Sequence, residues 1–297
     1  MKKLIILILT LVLLSACSYE RDDNKINITA TTTMISDLIN QVGKDRVQVY
    51  GMMREGVDPH SYKARPSDVM AIDNADIIAF NGINLEAKLA DVFDSLAESG
   101  QFLIKLEDGI NPDDLLVVDD SGAYDPHIWF NVGIWKDSAI YVAQQLIQYE
   151  PKSKDYFEAN LEDYLSELDA LEAYIINELD QISPNQRVLV TAHDAFTYFG
   201  EAYDVEVLAV QGINSQSEAG IKDINNLSKR IIDSNIRSVY SESSVPIKTI
   251  EALVSSVRSQ GHELNIGGEL YSDSLKENTS YIETFKENID TIVEGLK

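Results

Sequence analysis

A single cysteine, Cys17, stands in 297 residues, so the chain can close no internal disulfide and offers no thiolate cluster to a metal. Basic residues are also scarce. The 24 Lys and Arg face 49 Asp and Glu, a formal net charge of −25, and such a surface excludes nucleic acid as a partner. No His-Glu-x-x-His, Gly-x-Ser-x-Gly or phosphate-cradling glycine loop occurs, which removes the common hydrolase and nucleotide-binding signatures. The acidic run over 113–120 lacks the glycine and terminal glutamate of an EF-hand and reads as a mobile solvated loop. Histidine is limited to four positions, 60, 127, 193 and 262.

The N-terminus indicates a compartment. Lys2 and Lys3 precede an apolar run over residues 4–14 that ends in Leu14-Ser15-Ala16-Cys17. A run of roughly ten apolar residues before small residues makes a secretory signal, since a spanning helix needs about twenty. Leu-Ser-Ala-Cys resembles the bacterial lipobox, which implies a signal over 1–16 and a lipid on Cys17, now the first mature residue. The polar stretch 17–25 reads as a tether. Loss of the leader leaves 22 basic against 49 acidic residues, a net charge of −27, which suits solubility outside the cell.

Short Val- and Ile-rich stretches then alternate with helical patterns. The first four cover 26–31, 47–52, 77–80 and 102–106; the second four cover 188–192, 205–210, 238–241 and 263–266. Amphipathic segments such as 85–99 and 217–234 come after most of them. Alternation of this kind predicts an α/β fold of two (β/α)4 domains with parallel sheets, over 26–150 and 184–297. Between them, Phe157, Leu161, Tyr164, Leu168, Leu171, Ile175, Leu179 and Ile182 are spaced by threes and fours with no Gly or Pro within. The spacing predicts one long helix over 151–182, in a linking segment 151–183, spanning roughly 45 Å. A linker of that stiffness predicts small domain movements. The alternative for such a helix is a coiled-coil seam, but its acidic polar face has few lysines to pair.

Three of the four histidines fall where strands end, the position at which open α/β sheets place ligands. His60 lies in Asp58-Pro59-His60-Ser61-Tyr62, His127 in Asp125-Pro126-His127-Ile128-Trp129, and His193 in Thr191-Ala192-His193-Asp194. In the first two, proline fixes the backbone and the aspartate, Asp58 or Asp125, is placed to hold a ring N–H. His193 also suits a plain structural role at the start of a helix over 194–203. Asp273 comes after the last strand, and Glu242 after the third strand of the second half, as a supporting residue for a site. Taken alone, a loop histidine is more often a surface residue than a ligand, and His262 falls under that rule.

These segments, with Ser241-Glu242-Ser243 and Gly268-Glu269-Leu270-Tyr271-Ser272-Asp273, occur in order over nearly the whole mature chain. Together they resemble the bacterial solute-binding lipoproteins of cluster A-I, the ZnuA, TroA and MntA type, which feed manganese or zinc to ABC transporters. The resemblance implies two α/β domains joined by a rigid helix, with one ion in the cleft between them held by His60, His127, His193 and Asp273. It also implies a permease and its ATPase as partners, anchoring by the Cys17 lipid to the outer face of the cell membrane, and no catalysis. A monomer is expected. The stretch 113–124 carries no histidine, unlike the His-rich loop of many zinc-dedicated members, and this leans towards Mn2+. Many manganese members have Glu where His193 stands, and three imidazoles with one carboxylate also suit Zn2+. A secreted metalloenzyme would need an open coordination position and a base such as Glu242 or Glu269 beside it. A surface adhesin would need none of the three histidines.

Overall fold

The computed structural model describes residues 21–118, 122–214 and 220–297; the expected leader and Cys17 lie outside them. Among the described residues no helix is long and apolar enough to cross a membrane. The N-terminal half forms β1 (Ile26–Ala30), α1 (Thr33–Gly43), β2 (Val47–Gly51), α2 (Pro66–Asn74), β3 (Ile77–Phe80), α3 (Ala90–Glu98), β4 (Phe102–Lys105) and α4 (Val132–Tyr149). Its sheet is fully parallel in the order β2-β1-β3-β4. The central strands β1 and β3 are buried throughout, as expected of strands covered by helices on both faces.

The second half contains β5 (Val188–His193), α6 (Thr197–Tyr203), β6 (Glu206–Gln211), α7 (Ile221–Asp233), β7 (Ser238–Glu242), α8 (Lys248–Ser259), β8 (Asn265–Leu270) and α9 (Tyr281–Leu296). Here the expected four-stranded sheet is divided into two parallel ladders, β5-β6 and β7-β8. Strands β5 and β7 run side by side, but at their ends the His193 amide donates to the Glu242 carboxylate at 2.8 Å rather than to a strand carbonyl.

The last strand differs most from its expected span of 263–266. Gly267 and Gly268, beyond the expected end, form an irregularity inside β8: Val239 pairs with Ile266 and Tyr240 with Gly268. Such a bulge bends a strand and redirects the chain beyond it. Gly268 has φ +156°, and a Cβ there would lie 2.4 Å from Thr291 Cγ2 on α9, so only glycine permits this approach. The register slip sets the direction of the chain towards Asp273.

The linking helix, α5, runs Lys154–Leu179; Pro151–Ser153 is a 3-10 turn ahead of it. Its 26 residues span about 39 Å, somewhat less than expected. All the apolar positions named above are buried except Leu161, which is partly so. The helix packs on α1, α4 and α9, and the largest apolar cluster runs from Ile26 through the helix to Val293. It is therefore a wall of a core shared by both halves rather than a bare strut. Two loop expectations also change. Residues 21–25 are docked: Arg21 binds Asp76 at 2.8 Å and the Asp22 amide donates to Gln48 at 2.9 Å. The described part of the acidic loop is held by an antiparallel bridge between Val117 and Tyr124, and the Leu116 amide donates to the Tyr198 hydroxyl.

If α5 is part of the core, Leu171→Ala, at a fully buried position, will cost about 2–5 kcal/mol of stability by urea unfolding. Ile176→Ala on the same helix, where Ile176 is 50% exposed, will cost less than about 1 kcal/mol. Equal losses would contradict this packing.

Candidate metal centre

The loop after β2 carries His60. Its shape is set locally: Asp58 accepts the His60 main-chain N–H at 2.8 Å and the Ser61 hydroxyl at 2.7 Å. Downstream, the buried Asp68 side chain is met by the Tyr50 hydroxyl at 3.1 Å, Arg65 at 3.1 Å and the Tyr62 hydroxyl. Burial opposes its charge, but Arg65 and Tyr62 outweigh this and hold its carboxyl below the usual range. The aspartate thus anchors both ends of the His60 loop.

His127 lies beyond β4 after a longer excursion, and its loop is stitched to the end of β3 by Asn81, whose side-chain amide donates to the Pro126 carbonyl at 3.0 Å. Asp125 accepts both the His127 main-chain N–H at 2.9 Å and ring Nδ1 at 2.7 Å. With Nδ1–H so occupied, Nε2 is the nitrogen left to face inward, free to bind a cation once its own proton is lost. His193 is the last residue of β5; the helix it was expected to open begins four residues later. Its Nδ1 lies 2.6 Å from Glu242 Oε2, an ion-pair contact too poorly aligned to be a hydrogen bond. Asp273 sits beyond β8. Of the other predicted positions, His262 stands apart, its Nε2 bonded to the Ile236 carbonyl at 2.6 Å.

The structure brings His60, His127, His193 and Asp273 together so that one potential donor atom from each lies within 4.8 Å of all the others. The Nε2 atoms of His60 and His127 are 3.3 Å apart. His127 Nε2 is 3.6 Å from Asp273 Oδ1, and His193 Nε2 is 3.5 Å from Asp273 Oδ2. Donors at about 2.0–2.1 Å around a tetrahedral ion are separated by about 3.4 Å, so these spacings fit a single cation. All four are buried, at 6, 0, 0 and 2% exposure. Asp273 Oδ1 and His193 Nε2 have no hydrogen-bond partner, which in a dry site calls for a ligand.

The protonation pattern is polarised by the surroundings. Burial and the neighbouring imidazoles outweigh Asp273 and push His60 down to about 4. Burial pulls on His127 too, but Asp125 and Asp273 overcome it and raise the imidazole to about 9. His193 is likewise raised, against burial, by Glu242 and Asp273. Asp273 is held well below the usual carboxylate range because the histidines outweigh its burial. Without a metal, protons on His127 and His193 balance the buried carboxylates.

The loops also cross between the halves. Trp129 Nε1 donates to the Ser272 carbonyl at 2.8 Å, the Gly56 amide to Ser274 Oγ at 3.0 Å, and the Leu275 amide to Thr33 Oγ1 at 2.7 Å. One residue of the centre lies outside the motifs quoted from the sequence. Ser244 donates to Asp273 Oδ2 at 2.8 Å, and its Oγ lies 3.1 Å from Ser272 Oγ; a serine two residues past a glutamate carries no recognisable signal.

The profile of the family described as "Zinc-uptake complex component A periplasmic" matches residues 28–295. The manganese-binding lipoprotein MntA of Bacillus subtilis is 36% identical over 280 residues, covering 93% of this chain and 91% of MntA. The iron ABC transporter substrate-binding lipoprotein MtsA of Streptococcus pyogenes serotype M1 is 31% identical over 304 residues, covering 97% of this chain and 96% of its own. Among solved structures, the periplasmic zinc-binding protein TroA of Treponema pallidum superposes with a TM-score of 0.88 at 36% identity, over 92% of this chain and 99% of TroA. The chain therefore belongs to the zinc-uptake complex component A family, whose members are solute-binding proteins and not enzymes.

Proposed function

We propose that this protein captures one divalent transition metal ion outside the cell membrane and delivers it to an ABC transporter permease driven by its ATPase. The observation that carries the reading is the set of four buried donors, His60, His127, His193 and Asp273, drawn from four separate strand exits to one point. A sphere closed by protein donors suits carriage, whereas a catalytic metal keeps an open position. Asp125 and Glu242 hold ring nitrogens and Asp58 shapes the His60 loop. In this reading the domains are 26–150 and 184–297, with 151–183 between them, and the protein is a monomer anchored by a lipid on Cys17. The relatives named as lipoproteins support that anchor.

Manganese is the favoured ion. Both oxygens of Asp273 face imidazole nitrogens, at 3.5 and 3.6 Å, so the carboxylate can bind through both and raise the coordination number above four. Zinc prefers four. The acidic loop without histidine and the similarity to a manganese-binding relative support the same choice. Zinc is the second reading, favoured by three imidazoles and by the similarity to TroA.

Metal analysis of protein purified without added metal, then titration of Mn2+ against Zn2+, tests the ion directly; a protein that takes up neither contradicts the proposal. His127→Ala will weaken binding by at least about tenfold, while His262→Ala will leave it unchanged. Equal effects would remove the site. Proton release gives an independent check. With His127 at about 9 and His193 also raised, metal binding at pH 7 will expel about two protons per ion. The number will fall as pH rises through about 9, where His127 is already deprotonated. Titration calorimetry in buffers of different ionisation enthalpy measures this, and no release at pH 7 would contradict it.

A further inference from the structure

The geometry points to Ser244 as the residue that sets how many oxygens Asp273 presents to the ion, and so tunes the choice between manganese and zinc. This rests on the metal-carrier reading above. A carboxylate can bind one ion through one oxygen or both, and a small rotation about its side-chain bonds converts one mode into the other. One oxygen completes a tetrahedron with three imidazoles; two give a fifth bond that zinc tolerates poorly and manganese accepts. Whatever restrains that rotation is therefore a selectivity element.

In this protein the restraint is a short chain of hydroxyls. Ser244 Oγ donates to Asp273 Oδ2 at 2.8 Å, and a serine has one proton to give. The 3.1 Å contact between Ser244 and Ser272 must then run from Ser272 to Ser244, so the order is Ser272, Ser244, Asp273. An oxygen that accepts from Ser244 keeps a second lone pair. The bond therefore leaves Oδ2 able to face His193 Nε2 at 3.5 Å while Oδ1 faces His127 Nε2 at 3.6 Å. With both oxygens directed inward, the carboxylate is held in its two-oxygen orientation.

The frame around the relay is stiff. The turn bearing Ser244 is tied to the end of β8 by the Ser243 amide, which donates to the Leu270 carbonyl at 3.0 Å. Ser272 is almost fully buried, and its carbonyl accepts from Trp129 Nε1 at 2.8 Å. Trp129 stands two residues after His127, so the relay is fixed relative to the ligand loops of both halves. Ser244 bonds to the Asp273 carboxylate and acts through it, as a positioning residue.

Wild type, Ser244→Ala, Ser244→Thr and Ser272→Ala, each stripped of metal, are to be titrated with Mn2+ and Zn2+. Loading with Co2+ then reports coordination, because tetrahedral cobalt absorbs visible light far more strongly than five-coordinate cobalt. Ser244→Ala will lose about tenfold in manganese affinity and about twofold or less in zinc affinity, and its cobalt band will intensify. Ser244→Thr, which keeps the hydroxyl, will restore both readouts, and Ser272→Ala will fall between. Equal losses for the two ions, or an unchanged cobalt spectrum, would overturn the role of Ser244. A wild type that binds neither ion would overturn the metal-carrier reading as well.

Discussion

Two imidazole nitrogens, His60 Nε2 and His127 Nε2, stand 3.3 Å apart with almost no access to water. A pair of lone pairs cannot face each other at that distance in a dry interior unless a proton or a cation lies between them. Asp273 and His193 complete the same small volume, and three of their polar atoms, Asp273 Oδ1 and both ring nitrogens of His193, have no hydrogen bond. The surrounding carboxylates are arranged to match. Asp125 and Glu242 stand behind His127 and His193 and make these rings strong electron donors towards the centre. The same carboxylates favour the protonated form of these two rings, so under the proposed function capture exchanges protons for metal.

The fold serves that constraint by direction. Parallel strands point their carboxyl ends the same way, and each half carries two of the four clustered side chains beyond strand ends. His193 and Glu242 end the adjacent strands β5 and β7, where the second half's strand order reverses outward. The bulge at Gly267 and Gly268 then steers the chain after β8 to Asp273. Cross-links from Trp129, Gly56 and Thr33 to residues 272–275 tie that segment to the opposite half. The long helix lies in the shared apolar core at the back. Movement of one half against the other must disturb both packing and these bonds.

Much of this was legible in the residues. The span of β3 matches the expected 77–80 because a short β-branched run is buried on both faces and has no competing helical period. The repeated Asp-Pro-His marked His60 and His127 through the local chemistry of proline and aspartate. Asp273 had no such mark: its place after the last strand made it a candidate, and only the family resemblance made it a ligand. Glu242 was legible as a supporting residue from its place after a strand, but its partner His193 and the part played by Ser244 were not, because pairing between strands decides them and no local spacing encodes it. The end of β8 lies beyond the expected 266 for a related reason: the apolar run stops there, but tertiary contact with α9 carries the strand on through Gly267 and Gly268, where a side chain at Gly268 would meet Thr291. Docking of 21–25 likewise depends on Asp76 and Gln48, distant in sequence.

The most direct test of the central claim is a crystal structure of the manganese-loaded protein with anomalous scattering recorded at the metal edge. The account predicts one strong peak within about 2.0–2.5 Å of the Nε2 atoms of His60, His127 and His193 and of the Asp273 carboxylate. A peak elsewhere, or one in contact with fewer than three of these four side chains, would contradict it.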